Sequence, residues 1–282
     1  MTTRRLITFL AHPNSLRARP GRPEYNTEAG IARRIKEGRG TGEGPDYNPW
    51  FTVSDFHSKG FRRMVWSPRL RRVVHLFSEL EYRIFLWLEA NGSYADIREC
   101  FPLDRAETIK IARQLGVRHP APYGVPIVMT TDFEITVRNW AGVSTLGVAV
   151  KYERDLTNPR VLEKLAIERA YHEARGAAYL VMTENSVPVQ VFQNLQFIRG
   201  ALREGAMRGL DAKLLNQIEP ILRSHLACAT ICNACAGTDS ELRLPHGSSM
   251  QALRYFMATH RWQADLRCPL TPEAVINLEP SQ

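Results

Sequence analysis

Two runs of alternating apolar residues in the middle of the chain constrain its fold more than any other feature. From Pro126 to Arg138, Ile127, Val128 and Met129 are followed by Phe133, Ile135 and Val137 on every second residue. Ser144 to Tyr152 is a second such run, and Asn139-Trp140-Ala141-Gly142 joins the two. A period of two puts one set of side chains on a single face, so each run reads as a strand with a buried side. A connection this short leaves only an antiparallel hairpin, because parallel neighbours need a crossover of a dozen or more residues.

Helical periods surround the hairpin. Leu80, Ile84, Phe85, Trp87 and Leu88 follow Ser78 at helical spacing, so residues 78–90 read as a helix stopped by Asn91-Gly92. Tyr94 to Leu103 alternates as one or two short strands, residues 105–116 form a weaker helix, and residues 159–175 a helix starting at Asn158-Pro159. Ala177 to Thr183 reads as a buried strand. Helix, strands, hairpin, helix, strand is the order of an α/β core. From about residue 186 helical periods recur at 188–200, 211–226 and 248–260, with residues 262–266 as a short strand or wing. The 282 residues therefore divide into a basic arm and loop region (1–75), an α/β domain (76–185) and a mostly helical domain (186–282).

The charge is lopsided. Residues 1–75 carry 15 Lys/Arg against 6 Asp/Glu, a net of +9, whereas the remainder nets −1. A basic segment on a neutral body fits a polyanion, and nucleic acid comes ahead of membrane because no amphipathic apolar period accompanies the charge. No apolar run approaches the roughly 18 residues of a membrane span. The apolar stretch near the start is shorter than the roughly 7–15 residues of a secretory core. Five cysteines are an odd number in a long chain, so a reducing cytoplasm is expected and a disulfide framework is not. The helix expected over residues 26–37 puts Arg33 and Arg34 outward, and with Arg62, Arg63, Arg69, Arg71 and Arg72 they are the candidate contacts to a nucleic-acid backbone. The glycine-rich stretch 38–50 has no strand feeding it and no closing Gly-Lys-Ser/Thr, which excludes a phosphate loop. It either follows a DNA backbone or drapes over the protein.

Three residues carry candidate chemistry. Asp132 lies within the first hairpin strand, Lys151 ends the second, and Glu81 lies on the helix before them. An acid and a lysine on paired strands, 19 residues apart through a tight turn, reach one end of the sheet together, where a helix carboxylate can join them. Two carboxylates suit a hard cation with oxygen ligands, Mg²⁺ first and Mn²⁺ second. A lysine beside them stabilises charge on a phosphorane-like transition state. Each residue also has a plainer reading. Ser78 and Glu81 fit a capping box, Asp132 fits an exposed edge, and Lys151 fits a surface strand end. Asp is depleted in strands, however, so Asp132 needs a partner or solvent.

Several stretches together resemble the TnsA family: Phe77-Ser78-Glu79-Leu80-Glu81, Asp96-Ile97-Arg98-Glu99 with Phe101-Pro102-Leu103, Thr130-Thr131-Asp132-Phe133 and Val148-Ala149-Val150-Lys151, then Glu163 through Tyr171, Gly176 and Val181-Met182-Thr183-Glu184. Arg33 through Gly44 with Trp50 also looks typical of that family, and the likeness covers most of the chain. TnsA proteins are endonuclease subunits of heteromeric cut-and-paste transposons and their CRISPR-associated relatives. The resemblance implies a restriction-endonuclease-like core followed by a winged-helix domain, with Glu81 and Asp132 as catalytic, metal-holding carboxylates and Lys151 as catalytic lysine. It implies a bacterial cytoplasmic protein, nucleoid-associated when active, that cuts the 5′ ends of the element. The implied partners are transposon-end DNA, a TnsB-like transposase and a TnsC-like AAA ATPase, with no membrane. There is one departure: such nucleases usually carry Glu or Gln two residues before the lysine, and this chain has Ala149. A catalytically silent DNA-binding or bridging subunit is the alternative that Ala149 keeps open.

Other candidates are weaker. His225, Cys228, Cys232 and Cys235 are spaced as one face of a continuous helix, which cannot wrap a tetrahedral zinc, so no structural zinc is expected. His119 is expected to be structural or DNA-facing. Arg254, His260 and Arg261 lie off the apolar stripe of the last helix, where a winged helix contacts DNA; the weak charge of that domain favours a protein partner.

Overall fold

The computed structural model describes residues 26–56, 61–91, 94–139, 142–202, 207 and 209–278. The first part of the expected arm (1–25), Gly92 and the Trp140-Ala141 turn lie outside these residues. A two-stranded hairpin, β1 (Arg63–Ser67) and β2 (Arg72–Leu76), precedes a four-stranded sheet of β3 (Tyr94–Pro102), β4 (Thr130–Asn139), β5 (Gly142–Val150) and β6 (Ala178–Met182). The sheet runs β3-β4-β5-β6, antiparallel at its first two junctions and parallel at the last. β4 and β5 form the expected hairpin, in which Phe133 faces Val148, Ile135 faces Leu146 and Asn139 faces Gly142. The parallel step from β5 to β6 is bridged by helix α4 (Pro159–Ala174), capped by the Asn158 side chain on the Arg160 N–H. This mixed sheet flanked by helices fits a restriction-endonuclease-like core.

Burial decides which side faces what. Phe133, Ile135 and Val148 are fully buried against α2 (Glu79–Ala90) and α5 (Val189–Ile198), with Phe85, Leu88 and Leu195 in the same cluster. Leu103, Ile111, Met129, Ile167 and Tyr171 form a smaller core between α3 (Arg105–Gln114), α4 and the sheet end. The strand expected from Pro126 begins only at Thr130. Val128 and Met129 are buried just before the strand, with the Met129 carbonyl still accepting the Leu103 N–H (2.8 Å).

The basic region needs the largest correction. Residues 26–56 do not stand away from the protein as an arm. Thr27 caps helix α1 (Glu28–Lys36), and Ile31, Tyr47 and Trp50 are buried. The Tyr47 hydroxyl donates to the Glu99 carbonyl (2.9 Å) and the Trp50 N–H to that of Cys100 (3.3 Å). The glycines serve this packing: a Cβ on Gly40 would sit 2.0 Å from the Pro102 ring, and one on Gly42 (φ +88°) 2.2 Å from the Asp46 carbonyl oxygen. The loop drapes over the β3 edge. Nor is there a break near residue 75, since Val65, Val74 and Leu76 share one core with α2. β1 and β2 are only five residues long, each with an arginine as its first residue, which hid them from periodicity.

After Met182 the described residues contain no strand. Helices α5, α6 (Ala212–Leu226), α7 (Ile231–Glu241) and α8 (Ser248–Ala258) enclose a second core around Ile218, Leu222, Phe256 and Trp262. The short strand or wing expected at 262–266 is irregular, because Trp262 turns in against Phe256 (ring centroids 4.7 Å) and its indole N–H donates to Glu219 (2.8 Å). The continuous helix expected through 225–235 is broken: α6 ends at Leu226, and Thr230 caps a new helix at Ile231. Among the described residues no helix is long and apolar enough to cross a membrane.

Candidate active site

The site forms where β4 and β5 part. Their mutual pairing stops at Phe133 and Val148, while β4 goes on pairing with β3 and β5 with β6. The Asp132 carboxylate takes over as acceptor there. Its Oδ2 accepts the Val150 N–H (2.6 Å) and the Lys151 ammonium (2.8 Å). Lys151 Nζ also donates to the Val150 carbonyl (2.8 Å), while its backbone N–H bonds Met182 of β6 (3.0 Å). Two strands and the crossover product β6 therefore fix this lysine.

Glu81 comes from the first turn of α2. The capping reading holds in part: the Ser78 hydroxyl accepts the Glu81 N–H and donates to Glu81 Oε1 (both 3.0 Å). The other carboxylate oxygen accepts the Phe77 N–H (2.8 Å), one residue before the expected one. The cap fixes both carboxylate oxygens, and the Asp132 and Lys151 charges are near enough to act on them. Burial, then the nearby Asp132 charge, push the Glu81 carboxyl up to about 7. Burial pulls Lys151 down, but Asp132 and then Glu168 more than offset it, so the ammonium ends above its ordinary value. A buried cluster with more negative than positive groups is what a cation relieves.

Glu168, on α4, was missed by sequence reading. It lies on the buried stripe Leu165–Glu168–His172, and an acid on such a stripe was the available signal. It is 7% exposed, and its Oε2 accepts the Tyr179 hydroxyl (3.1 Å). Burial first, then Asp132, push its carboxyl up to about 8, with Lys151 pulling the other way. Ala149 is fully buried in register with Val181 and brings no polar atom to the site.

The residues that could hold a divalent ion are Glu81 and Asp132. Among the described residues no group of three or more His, Cys, Asp or Glu side chains is placed to hold a metal. Two carboxylates are the usual protein share for Mg²⁺, which keeps several waters and takes substrate oxygens. In the helical region Cys235 is buried while Cys228 and Cys232 are exposed; His225 bonds Thr238 (3.1 Å) and pairs with Glu241 (3.3 Å).

The arginines separate. Arg34 is not a nucleic-acid contact: it is 3% exposed, donates to the Trp50 carbonyl (2.6 Å) and pairs with Asp55 (3.0 Å). Arg72 is likewise buried, paired with Glu99 (2.7 Å). Arg33 is exposed beside Glu37 (3.5 Å), and Arg69 and Arg71 are exposed near the β1–β2 turn. Arg62 donates to the Val53 carbonyl (3.2 Å), and Arg63 lies over the Tyr82 ring (4.1 Å). His119 bonds Thr108 (3.1 Å), a packing contact at the α3 face.

Comparison with known proteins agrees with this architecture. Residues 91–184 match the family model for the TnsA-like endonuclease N terminal, and residues 186–266 that for the TnsA endonuclease C terminal. A relative from Escherichia coli, "Transposon Tn7 transposition protein TnsA", is 35% identical over 234 residues, covering 82% of this chain and 84% of its own. With two adjoining matches over the sheet and the helical region, and that identity across most of both chains, the protein belongs to the TnsA family, the endonuclease subunits of heteromeric transposases.

Proposed function

We propose that the chain hydrolyses DNA phosphodiester bonds at the 5′ ends of a transposon during excision, with Glu81, Asp132 and Lys151 as its catalytic residues. The observation that carries this reading is the 2.8 Å contact between Lys151 and Asp132 at the point where β4 and β5 part, with the Glu81 carboxyl in electrostatic contact with both. Glu81 and Asp132 hold the divalent cation, Mg²⁺ or Mn²⁺. When bound, that ion polarises the phosphoryl group and makes a bound water more acidic. Lys151, held above its ordinary value by the Asp132 and Glu168 charges, supplies positive charge to the developing phosphorane. Asp132 and the Val150 carbonyl aim that ammonium, and Glu168, once ionised, adds to the negative charge around it. The α/β core up to residue 185, together with the hairpin β1–β2 packed on α2, is the catalytic unit in this reading. Helices α6 to α8 supply the helical part of a winged-helix domain that docks partners, a TnsB-like transposase and a TnsC-like ATPase.

The test reconstitutes the protein with its transposase partners on an element end in Mg²⁺. Asp132→Ala and Lys151→Ala should each slow 5′-strand cutting by at least about 100-fold, the scale of losing one preorganised charge at a transition state. A chelator should stop cutting without abolishing the melting transition, because nothing in the core depends on the ion. Cutting that persists in both variants refutes the assignment. Ala149 supports a second reading, a silent bridging subunit; it prevails if the wild type leaves the 5′ strand intact while 3′ joining proceeds.

A further inference from the structure

The hairpin β1–β2 has one side that the fold covers only in part, at His75, whose ring accepts the Val53 N–H (3.3 Å). Val65, Ser67, Val74 and Leu76 point into the core. The opposite face presents Met64 (64% exposed), Trp66 (51%) and Val73 (40%), with Trp66 directly opposite Val73 in the register. Large apolar groups on a two-stranded ribbon are an exposed surface that the fold itself does not explain. Arginines frame it: Arg62 and Arg63 at the open end, Arg69 and Arg71 at the turn. Residues 61–76 hold five arginines and no acid, and Arg72 is buried in an ion pair with Glu99. The ribbon is held rigidly. Arg199 bonds the Trp66 carbonyl and also the Glu89 carboxylate of α2, and Arg63 stacks on Tyr82 of the same helix.

Position decides the partner. Arg63 pairs with Leu76, the neighbour of Phe77, whose N–H holds the Glu81 carboxylate. The open end of the hairpin therefore abuts the nuclease site. Its turn lies four residues further along, about 13 Å at the usual strand rise. That length matches about four base pairs of duplex at roughly 3.4 Å each. DNA whose phosphate reaches Asp132 and Lys151 has to leave the site past some surface. An acid-free ribbon with arginines at both ends is a match for its backbone, and a two-stranded ribbon is narrow enough to enter a major groove.

We propose that the outer face of β1–β2 is the platform for duplex DNA flanking the scissile phosphate, with Arg69 and Arg71 on the sugar-phosphate backbone and Met64 and Trp66 against the groove. This rests on the nuclease reading above and adds where the substrate lies. The surface composition also resembles a protein interface, where Trp, Met and Arg are enriched; the experiment distinguishes the two.

Binding of the full-length protein to an end-labelled transposon-end duplex is measured in chelator, so that no cutting occurs, between 50 and 200 mM salt. The double variant Arg69→Gln/Arg71→Asn removes both charges, and Asn tolerates the left-handed backbone at position 71 (φ +56°). The slope of log affinity against log salt should become shallower by about 1.8, roughly 0.9 for each phosphate that is no longer neutralised. In an otherwise wild-type chain, Trp66 replaced by a benzophenone amino acid should cross-link to DNA within about five base pairs of the cut, given the reach above. This second measurement decides the matter even if the double variant folds poorly. An unchanged slope in a folded variant, or a cross-link to the transposase instead of DNA, overturns the proposal. Asp132→Ala run in parallel separates the two readings. If it is inactive while the hairpin results are negative, only the platform fails; if it still cuts, the site assignment fails, and the salt slope judges the hairpin by itself.

Discussion

Replacing Glu168 by Gln should make the protein more stable at neutral and alkaline pH while weakening its site. In the folded chain the Glu168 carboxyl is pushed from 4.5 to about 8, first by burial and then by the Asp132 charge. The folded state thus binds this proton more tightly than the unfolded chain does. The contribution of this carboxyl to stability is greatest below about pH 4.5 and falls as pH rises toward about 8, where the folded carboxyl finally ionises. At about 1.4 kcal/mol per unit, the full span is about 5 kcal/mol. Gln has the same shape, still accepts the Tyr179 hydroxyl, and carries no proton to lose. Urea unfolding of both proteins at pH 5, 6, 7 and 8 tests this. The variant's stability relative to wild type should climb steadily over that range, by up to about 1.4 kcal/mol for each pH unit. Glu81 also titrates here, but it is common to both proteins and cancels in the difference. Parallel stability curves would refute the reasoning, because they would mean that Glu168 is ionised and solvated at every pH. A gain in stability with slower cutting would mark Glu168 as a charge kept for function.

Three further outcomes follow from the same geometry. Metal-holding carboxylates must be ionised, and Glu81 is pushed up to about 7; Mg²⁺ affinity by calorimetry should therefore rise between pH 6 and 8 and become flat in Glu81→Gln. A Cβ at Gly147 would lie 2.5 Å from Nε2 of the buried His172, which bonds Thr131 (2.9 Å); Gly147→Ala should cost about 1–3 kcal/mol in chemical denaturation, and an unchanged midpoint would show that the ring can move. Asn194 is 2% exposed and joins α5 to the terminal segment, donating to the Leu266 (2.8 Å) and Cys268 (2.7 Å) carbonyls and accepting the Leu270 N–H (2.9 Å). Asn194→Ala should cost about 3 kcal/mol by leaving those groups unpaired, with faster amide exchange confined to residues near 266–270.

Local pattern was enough for much of this chain. Alternation placed β4 and β5, apolar spacing after Ser78 placed α2, and Asn158-Pro159 placed the start of α4, because each signal lies within a few residues of what it determines. The residues Glu81, Asp132 and Lys151 were legible for the same reason: two sit on paired strands and one on the adjoining helix. What periodicity could not supply was any property that depends on a distant neighbour. Arg34 and Arg72 look like surface charges until Asp55 and Glu99 are found beside them in the core. The glycines of residues 38–50 look like a free loop until Pro102 and the β3 edge are in place. Glu168 acquires its character only because α4 crosses back over the sheet and buries its carboxyl within electrostatic reach of Asp132 and Lys151. Sequence alone determined the elements and the acids available to them, since both are local. Tertiary structure decided which charges are paired, buried or left facing solvent, since desolvation and Coulomb interactions depend on distance in space and not along the chain.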